Sequence, residues 1–334
     1  MKLLVLATII SVLLIVSCKN KTDQTADLNK LAEKYVRLGL TIGQYDEVFV
    51  DAYYGPDSLK PVTAKAAQMP KDSLQKAIQD LLADLKAFSS GTEPNDTLKQ
   101  RADWISSQLI AFGRRIKIFS GELDSFDKEA QELFGVTVPI NTEAHFQSLI
   151  AQLDSVLPGK GSIPDRMQAL SEKFIIPNDK LDTVFKTALA EAKKRTVIHL
   201  SLPVNEFFKL EYVTDKPWSG YNWYKGNYSS VIQINTDLPI QIDRAIDLGC
   251  HEGYPGHHVY NMMLEKNLYR DKGWVEISLY PLFSPQSLIA EGSANYGIEM
   301  AFPGNEKIAF CKNVLLPLAG LDTANIEIYF KANE

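Results

Sequence analysis

The sequence predicts a mainly α protein, a helical bundle with a small antiparallel β-sheet next to a helix that carries the candidate site. Three observations predict it. From residue 28 to about residue 200 the apolar positions recur at helical spacing, two later runs are rich in β-branched and aromatic residues, and from Ile242 the helical period resumes and leads into three closely spaced histidines. The chain has 334 residues, of which 45% are hydrophobic and 23% charged. That suffices for one large or two ordinary globular domains and is not a disordered composition.

The N-terminus reads as an address. Met1-Lys2 supplies a short positive region, residues 3–16 are uninterruptedly apolar, and Ile15-Val16-Ser17-Cys18 places a small residue before a cysteine. This is the pattern of a lipoprotein signal peptide over residues 1–17, because the apolar run falls short of the ~20 residues that a bilayer-spanning helix needs. Cleavage before Cys18 would leave a lipid-bearing cysteine and hold the protein to a membrane of the cell envelope, in the periplasm or at the outer membrane. An ordinary secretory peptide followed by a chance cysteine is the plainer alternative; both take the chain out of the cytoplasm. Residues 18–26 are polar and read as a tether. The net charge of -6 is spread along the chain with no basic run, which argues against nucleic acid as a partner. Beyond Cys18 only Cys250 and Cys311 remain, to be paired or to stay as buried thiols.

Residues 27–200 form the expected helical scaffold. Leu28, Leu31, Tyr35 and Leu38 mark one face of a first helix. Leu74, Ala77, Ile78, Leu81, Leu85 and Phe88 mark a second, with Asp72 as its expected N-cap, and Leu98, Ala102, Ile105, Leu109, Phe112 and Ile116 mark a third. Each stripe is one-sided and must be buried against a neighbour, which implies a bundle. Between the first two lies an aromatic turn over residues 51–57, suited to closing a bundle end. Shorter helices are expected at 125–134, 142–157, 165–174 and 179–194, divided by prolines. His145 and His199 stand singly there and are assigned no role. Residues 204–334 form the site region, expected to pack with the scaffold as one globular unit. Strands are expected at Phe207–Val213 and Ser229–Asn235, with a turn-rich aromatic segment between them.

The chemistry concentrates in Gly249-Cys250-His251-Glu252-Gly253-Tyr254-Pro255-Gly256-His257-His258. Imidazoles are zinc ligands, and a glutamate beside one of them is placed to act as general base. Zinc peptidases usually set two histidines four residues apart on a helix, but here the fourth residue after His251 is Pro255. In an unbroken helix His258 would share the face of His251 but lie ~10 Å along the axis, while His257 would face away. Pro255-Gly256 cannot continue a regular helix, so a two-residue bulge would bring His257 into the second ligand position. The expected metal ligands are therefore His251, His257 and Glu291, the last from Ala290-Glu291-Gly292-Ser293-Ala294, with a fourth position open to water. Glu291-Gly292 could also be an ordinary helix start. Glu252 is the expected base. Tyr254 is a candidate for meeting the oxyanion, with Tyr221, Tyr224, Tyr228 and Tyr296 also available, and His258 could bind the transition state or donate a hydrogen bond from behind the ligands. Asp247 and Glu299 are candidate partners for a ligand histidine.

These residues resemble a known family. His251 to His258 look like the His-Glu-x-x-Pro-Gly-His-His signature of the bacterial domain of unknown function 885, regarded as zincin-like metallopeptidases. Residues 45–56, 231–239 and 290–296 resemble further segments of that family, the last its Glu-Gly-x-Ala segment. The resemblance implies a mostly helical fold with a small sheet and a deep cleft, and a Zn2+ site built from His251, Glu291 and one of His257 and His258, beside Glu252. Family members usually continue well beyond the Glu-Gly segment, whereas this sequence stops at Glu334. The expected activity is hydrolysis of short peptides by a metal-activated water. The alternatives are an amidase or esterase acting on cell-wall or other small molecules, and a lipoprotein that holds metal without turnover.

Overall fold

The computed structural model describes residues 21–93 and 96–334, so the expected signal peptide and Cys18 lie outside the described residues. Where a tether is expected up to residue 26, the chain is helical from Lys21. Helix α1 spans Lys21–Gly43, and among the described residues no helix is long and apolar enough to cross a membrane. The protein is mainly α, as its periodicity predicts. It divides into two compact units, one made of the described residues up to Thr137 with Tyr269–Ser287, the other of Val138–Leu268 with Leu288–Glu334. This division differs from the expected one near residue 200. The helices after Val138 pack with the site region, as α7 (Leu181–His199) does against α8 (Ile242–Leu248) and the turn that follows it.

In the first unit the three predicted stripes meet. α1, α2 (Lys71–Ser90) and α3 (Thr97–Phe119) bury Leu28, Tyr35, Ile42, Ile78, Leu85, Ile105 and Phe112 in one core. Tyr35 stacks on Phe112 with ring centroids 5.0 Å apart. Asp96 caps α3 by accepting from the Leu98 amide, but α2 begins at Lys71 with Asp72 inside its first turn, where a carboxylate meets the positive helix end without capping it. Part of the aromatic turn is a strand, β1 (Val50–Tyr53), which pairs antiparallel with the return strand Leu279–Pro281. Helix α4 (Phe126–Phe134) completes the unit, capped by Ser125.

The second unit holds the site. Helices α5 (Glu143–Val156) and α6 (Ile163–Ser171) precede α7, and β2 (Phe207–Val213), β3 (Gly220–Gly226) and β4 (Ser229–Asn235) follow it. β2 and β4 lie where the sequence predicts them. The sheet, however, is mixed: β4 sits in the middle, antiparallel to β3 and parallel to β2. The segment expected to be only a turn supplies β3, which pairs with β4 through a hairpin with Asn227 and Tyr228 at positive φ. β4 thus folds back between β2 and β3, which leaves β2 a parallel neighbour. Ile232 and Ile234 alternate inward from β4, while Ile242, Ala245 and Ile246 are buried on α8. Each isoleucine buried in this way contributes about 1.5 to 3 kcal/mol. After α9 (His257–Leu264) and α10 (Pro285–Ala301) come short helices, the last of them α11 (Ile326–Asn333), whose Tyr329 hydroxyl donates to Asp243 of α8 at 2.7 Å.

Candidate metal centre

The three histidines lie across a break between two helices. α8 ends at Leu248 and passes into a wider π-helical turn, Gly249–Gly253, which carries His251 and Glu252. The Tyr254-Pro255 peptide is cis, and α9 starts at His257. Gly256 is what lets the strands of this break close up. Its amide donates to Cys250 O at 2.9 Å, and a Cβ at this position would fall 1.9 Å from His251 O. α10 passes the same turn, with Gly297 placed where a Cβ would sit 3.1 Å from Pro255 Cγ. The break forms the bulge that the Pro-Gly pair predicts, through a π turn and an extended turn.

This geometry brings His251, His257 and Glu291 together. His251 Nε2 and His257 Nε2 are 3.1 Å apart, and each is 3.3 Å from a Glu291 carboxylate oxygen. Glu291 lies within α10 and not at a helix start, and it is half-exposed, whereas His257 is buried. Asn295, one turn further along α10, faces His251 with its Oδ1 3.1 Å from Nδ1. With Oδ1 as acceptor the proton of neutral His251 resides on Nδ1, which leaves the Nε2 lone pair directed at the cluster. Glu291 in turn is held well below the usual carboxylate range by the His251 and His257 imidazoles that it faces. His251 loses basicity to burial but gains more from Glu291 and Glu252, and is raised overall.

Four-coordinate zinc with ligand bonds of about 2.0 to 2.2 Å separates its donor atoms by about 3.3 Å. The 3.1 Å between the two nitrogens and the 3.3 Å from His251 to Oε2 and from His257 to Oε1 of Glu291 are of that order. The donor set of two imidazoles and a carboxylate suits zinc.

Glu252 is 5% exposed, and burial raises its carboxyl against the opposing pull of His257 and His251. Its backbone carbonyl accepts from Asn222 Nδ2 of β3 at 2.7 Å, and Gly220 leaves room beside its side chain, where a Cβ would lie 3.1 Å from Oε1. β3 thus sets the place of the candidate base.

The other sequence-predicted residues are not in the cluster. His258 is fully buried and directed elsewhere: Nδ1 lies 2.8 Å from Ser230 Oγ and Nε2 3.0 Å from Glu206 Oε2. The Tyr254 hydroxyl donates to the same Glu206 oxygen at 2.6 Å. The polar atoms of both are therefore engaged in a second group, apart from the cluster of His251, His257 and Glu291. Tyr224 donates to Glu265, Tyr221 packs between Trp218 and Trp223, and Tyr296 is exposed on α10. Asp247 lies 3.8 Å from Arg244 and Lys307, and Glu299 is exposed, so the partner of His251 is Asn295 instead. Asn295 had a sequence signal, the four-residue spacing that puts it on the face of Glu291. Glu206 had none, because it arrives from a distant loop. Cys250 and Cys311 are both free and buried, not paired.

Comparison of the chain with family models, curated proteins and solved structures returns no match.

Proposed function

We propose that this chain is a zinc-dependent hydrolase of the cell envelope, a metallopeptidase of short peptides anchored through a lipid on Cys18. The observation that carries the reading is the convergence of His251 Nε2, His257 Nε2 and a Glu291 carboxylate at 3.1 to 3.3 Å, with Glu252 directly after the first ligand. His251, His257 and Glu291 would hold the ion. When bound, zinc lowers the pKa of water to about 7 and polarises a carbonyl. Glu252 takes a proton from the attacking water onto its carboxylate and returns it to the leaving amine. The Asn222 hydrogen bond to its backbone orients that carboxylate, and its burial keeps competing water away. The resemblance of residues 251–258 to the His-Glu-x-x-Pro-Gly-His-His signature supports the same reading.

The test is metal analysis of the purified chain together with turnover of peptide, ester and amide panels by wild type and Glu252→Gln. The expected result is zinc near one equivalent in both proteins and peptide cleavage that falls by about 100-fold or more in the variant. A wild type without bound metal, or equal turnover by the two proteins, overturns the reading. Cleavage of esters or small amides with no cleavage of peptides moves the reaction to the amidase or esterase alternative.

A further inference from the structure

We infer that Glu206 is a positioning residue for His257, its carboxylate clamping both flanks of the Pro255-Gly256 insert and so fixing the direction of the ligand ring. The inference rests on the metal-site reading above. Oε2 of Glu206 accepts from Tyr254 Oη at 2.6 Å on one side of the insert and from His258 Nε2 at 3.0 Å on the other. Oε1 pairs with Lys193 of α7. The remaining nitrogen of His258, Nδ1, accepts from Ser230 Oγ of β4 at 2.8 Å, the only assignment that leaves Nε2 protonated toward the carboxylate in a neutral ring. Phe208 closes the group, with its ring 5.4 Å from that of Tyr254 and 5.3 Å from that of His258.

None of these atoms touches the cluster of His251, His257 and Glu291, yet they control its geometry through the backbone. His257 is the first residue of α9, and the preceding Gly256 provides no side-chain cap to fix that end of the helix. His258 is the next residue, turned by about 100° around the helix axis. Holding the His258 ring against Glu206 and Ser230 therefore sets the rotation of the first turn of α9, and with it the aim of His257 Nε2. Tyr254 anchors the chain before the insert to the same oxygen. A single buried carboxylate thus makes the distance across the insert a fixed quantity. It also accounts for the second histidine and the tyrosine of the motif, which the metal cluster does not use.

Zinc affinity measured by competition with a chromophoric chelator, and the visible absorption of the Co2+-loaded chain, test this in Glu206→Gln, Tyr254→Phe and Lys194→Met. The full chain is used throughout. Glu206→Gln is expected to weaken zinc by about tenfold or more and to change the Co2+ band, as expected when a ligand loses its orienting partner. Tyr254→Phe should weaken zinc severalfold, and Lys194→Met, an exposed position on the same helix α7 that pairs with Glu191 and not with Glu206, should stay within about twofold of wild type. Should Glu206→Gln fail to fold, the contrast between Tyr254→Phe and Lys194→Met carries the test. Wild-type affinity and spectrum in folded Glu206→Gln, or in Tyr254→Phe if the first variant is unfolded, overturns the inference. So does an equal loss in Lys194→Met, which would mean generic loosening. A wild type that binds no metal overturns the metal reading itself.

Discussion

The Nε2 atoms of His251 and His257 lie 3.1 Å apart, although six positions separate them and a regular helix would turn the two rings to different faces. Two local departures produce this. The π turn Gly249–Gly253 widens the helix under His251, and the turn at Pro255-Gly256 restarts it at His257. The approach depends on Gly256, where an added Cβ would run into the backbone of Cys250 and His251.

On the proposed zinc site, each of the three side chains should be needed for binding. His251→Ala, His257→Ala and Glu291→Gln are each expected to raise the zinc dissociation constant by more than about 100-fold, beyond the cost of losing a residue that only orients a ligand. His145→Ala and His199→Ala should bind as wild type. Chelator competition on the purified variants provides the measurement, and unchanged metal content in His251→Ala would mean that the ligands have been wrongly assigned.

How far this was legible in the sequence depends on distance along the chain. The stripes of α1 to α3 follow from periodicity because helical contacts are local, and β2 and β4 follow from their β-branched runs. β3 did not, because Gly220, Gly226 and the adjoining aromatic residues read as a turn while its partner strand decides otherwise. The parallel pairing of β2 with β4 is a property of strand order, which no single segment encodes. His257 was legible from the conflict between Pro255-Gly256 and a helix. The partners of His258 were not, since Glu206 and Ser230 lie 52 and 28 positions away.

Gly256→Ala should break the site from within. The added Cβ would lie 1.9 Å from His251 O and 2.3 Å from Cys250 O, both backbone atoms that cannot swing aside. The expected cost is about 3 kcal/mol or more, at the upper end of single-residue effects. Urea denaturation of the metal-free protein reads it, and a midpoint equal to wild type would show that the turn has slack that the close approach does not suggest.

The Glu206 group also predicts a pH dependence. Burial would raise this carboxyl, but hydrogen bonds from His258, Lys193 and Tyr254 outweigh it and lower the pKa from 4.5 to about 2. A carboxylate depressed on folding contributes stability that is fully present above its unfolded value and is lost as pH falls through the folded one. The contribution from Glu206 should therefore disappear between about pH 4.5 and 2. Glu206→Gln should be less stable at neutral pH and should lose less stability across that window. Denaturation midpoints of both proteins from pH 6 downward, over as much of the window as they stay folded, check this; parallel curves would contradict it.

Cys250 and Cys311 give the last prediction, which bears on how tightly the region behind the site is closed. Both are free and buried, and burial pushes each thiol well above its ordinary pKa, reinforced by the nearby Asp247. The thiolate is the reactive form, and a desolvated site beside a carboxylate disfavours it twice over. Neither cysteine should be modified by iodoacetamide in the folded protein at pH 8 on a timescale on which an exposed thiol reacts fully. Both should be modified once the protein is unfolded in the absence of reductant. Peptide mapping separates the two sites. Rapid native labelling of Cys250 would mean that α8 and the π turn open readily, and protection of both after unfolding would mean that they are joined as a disulfide.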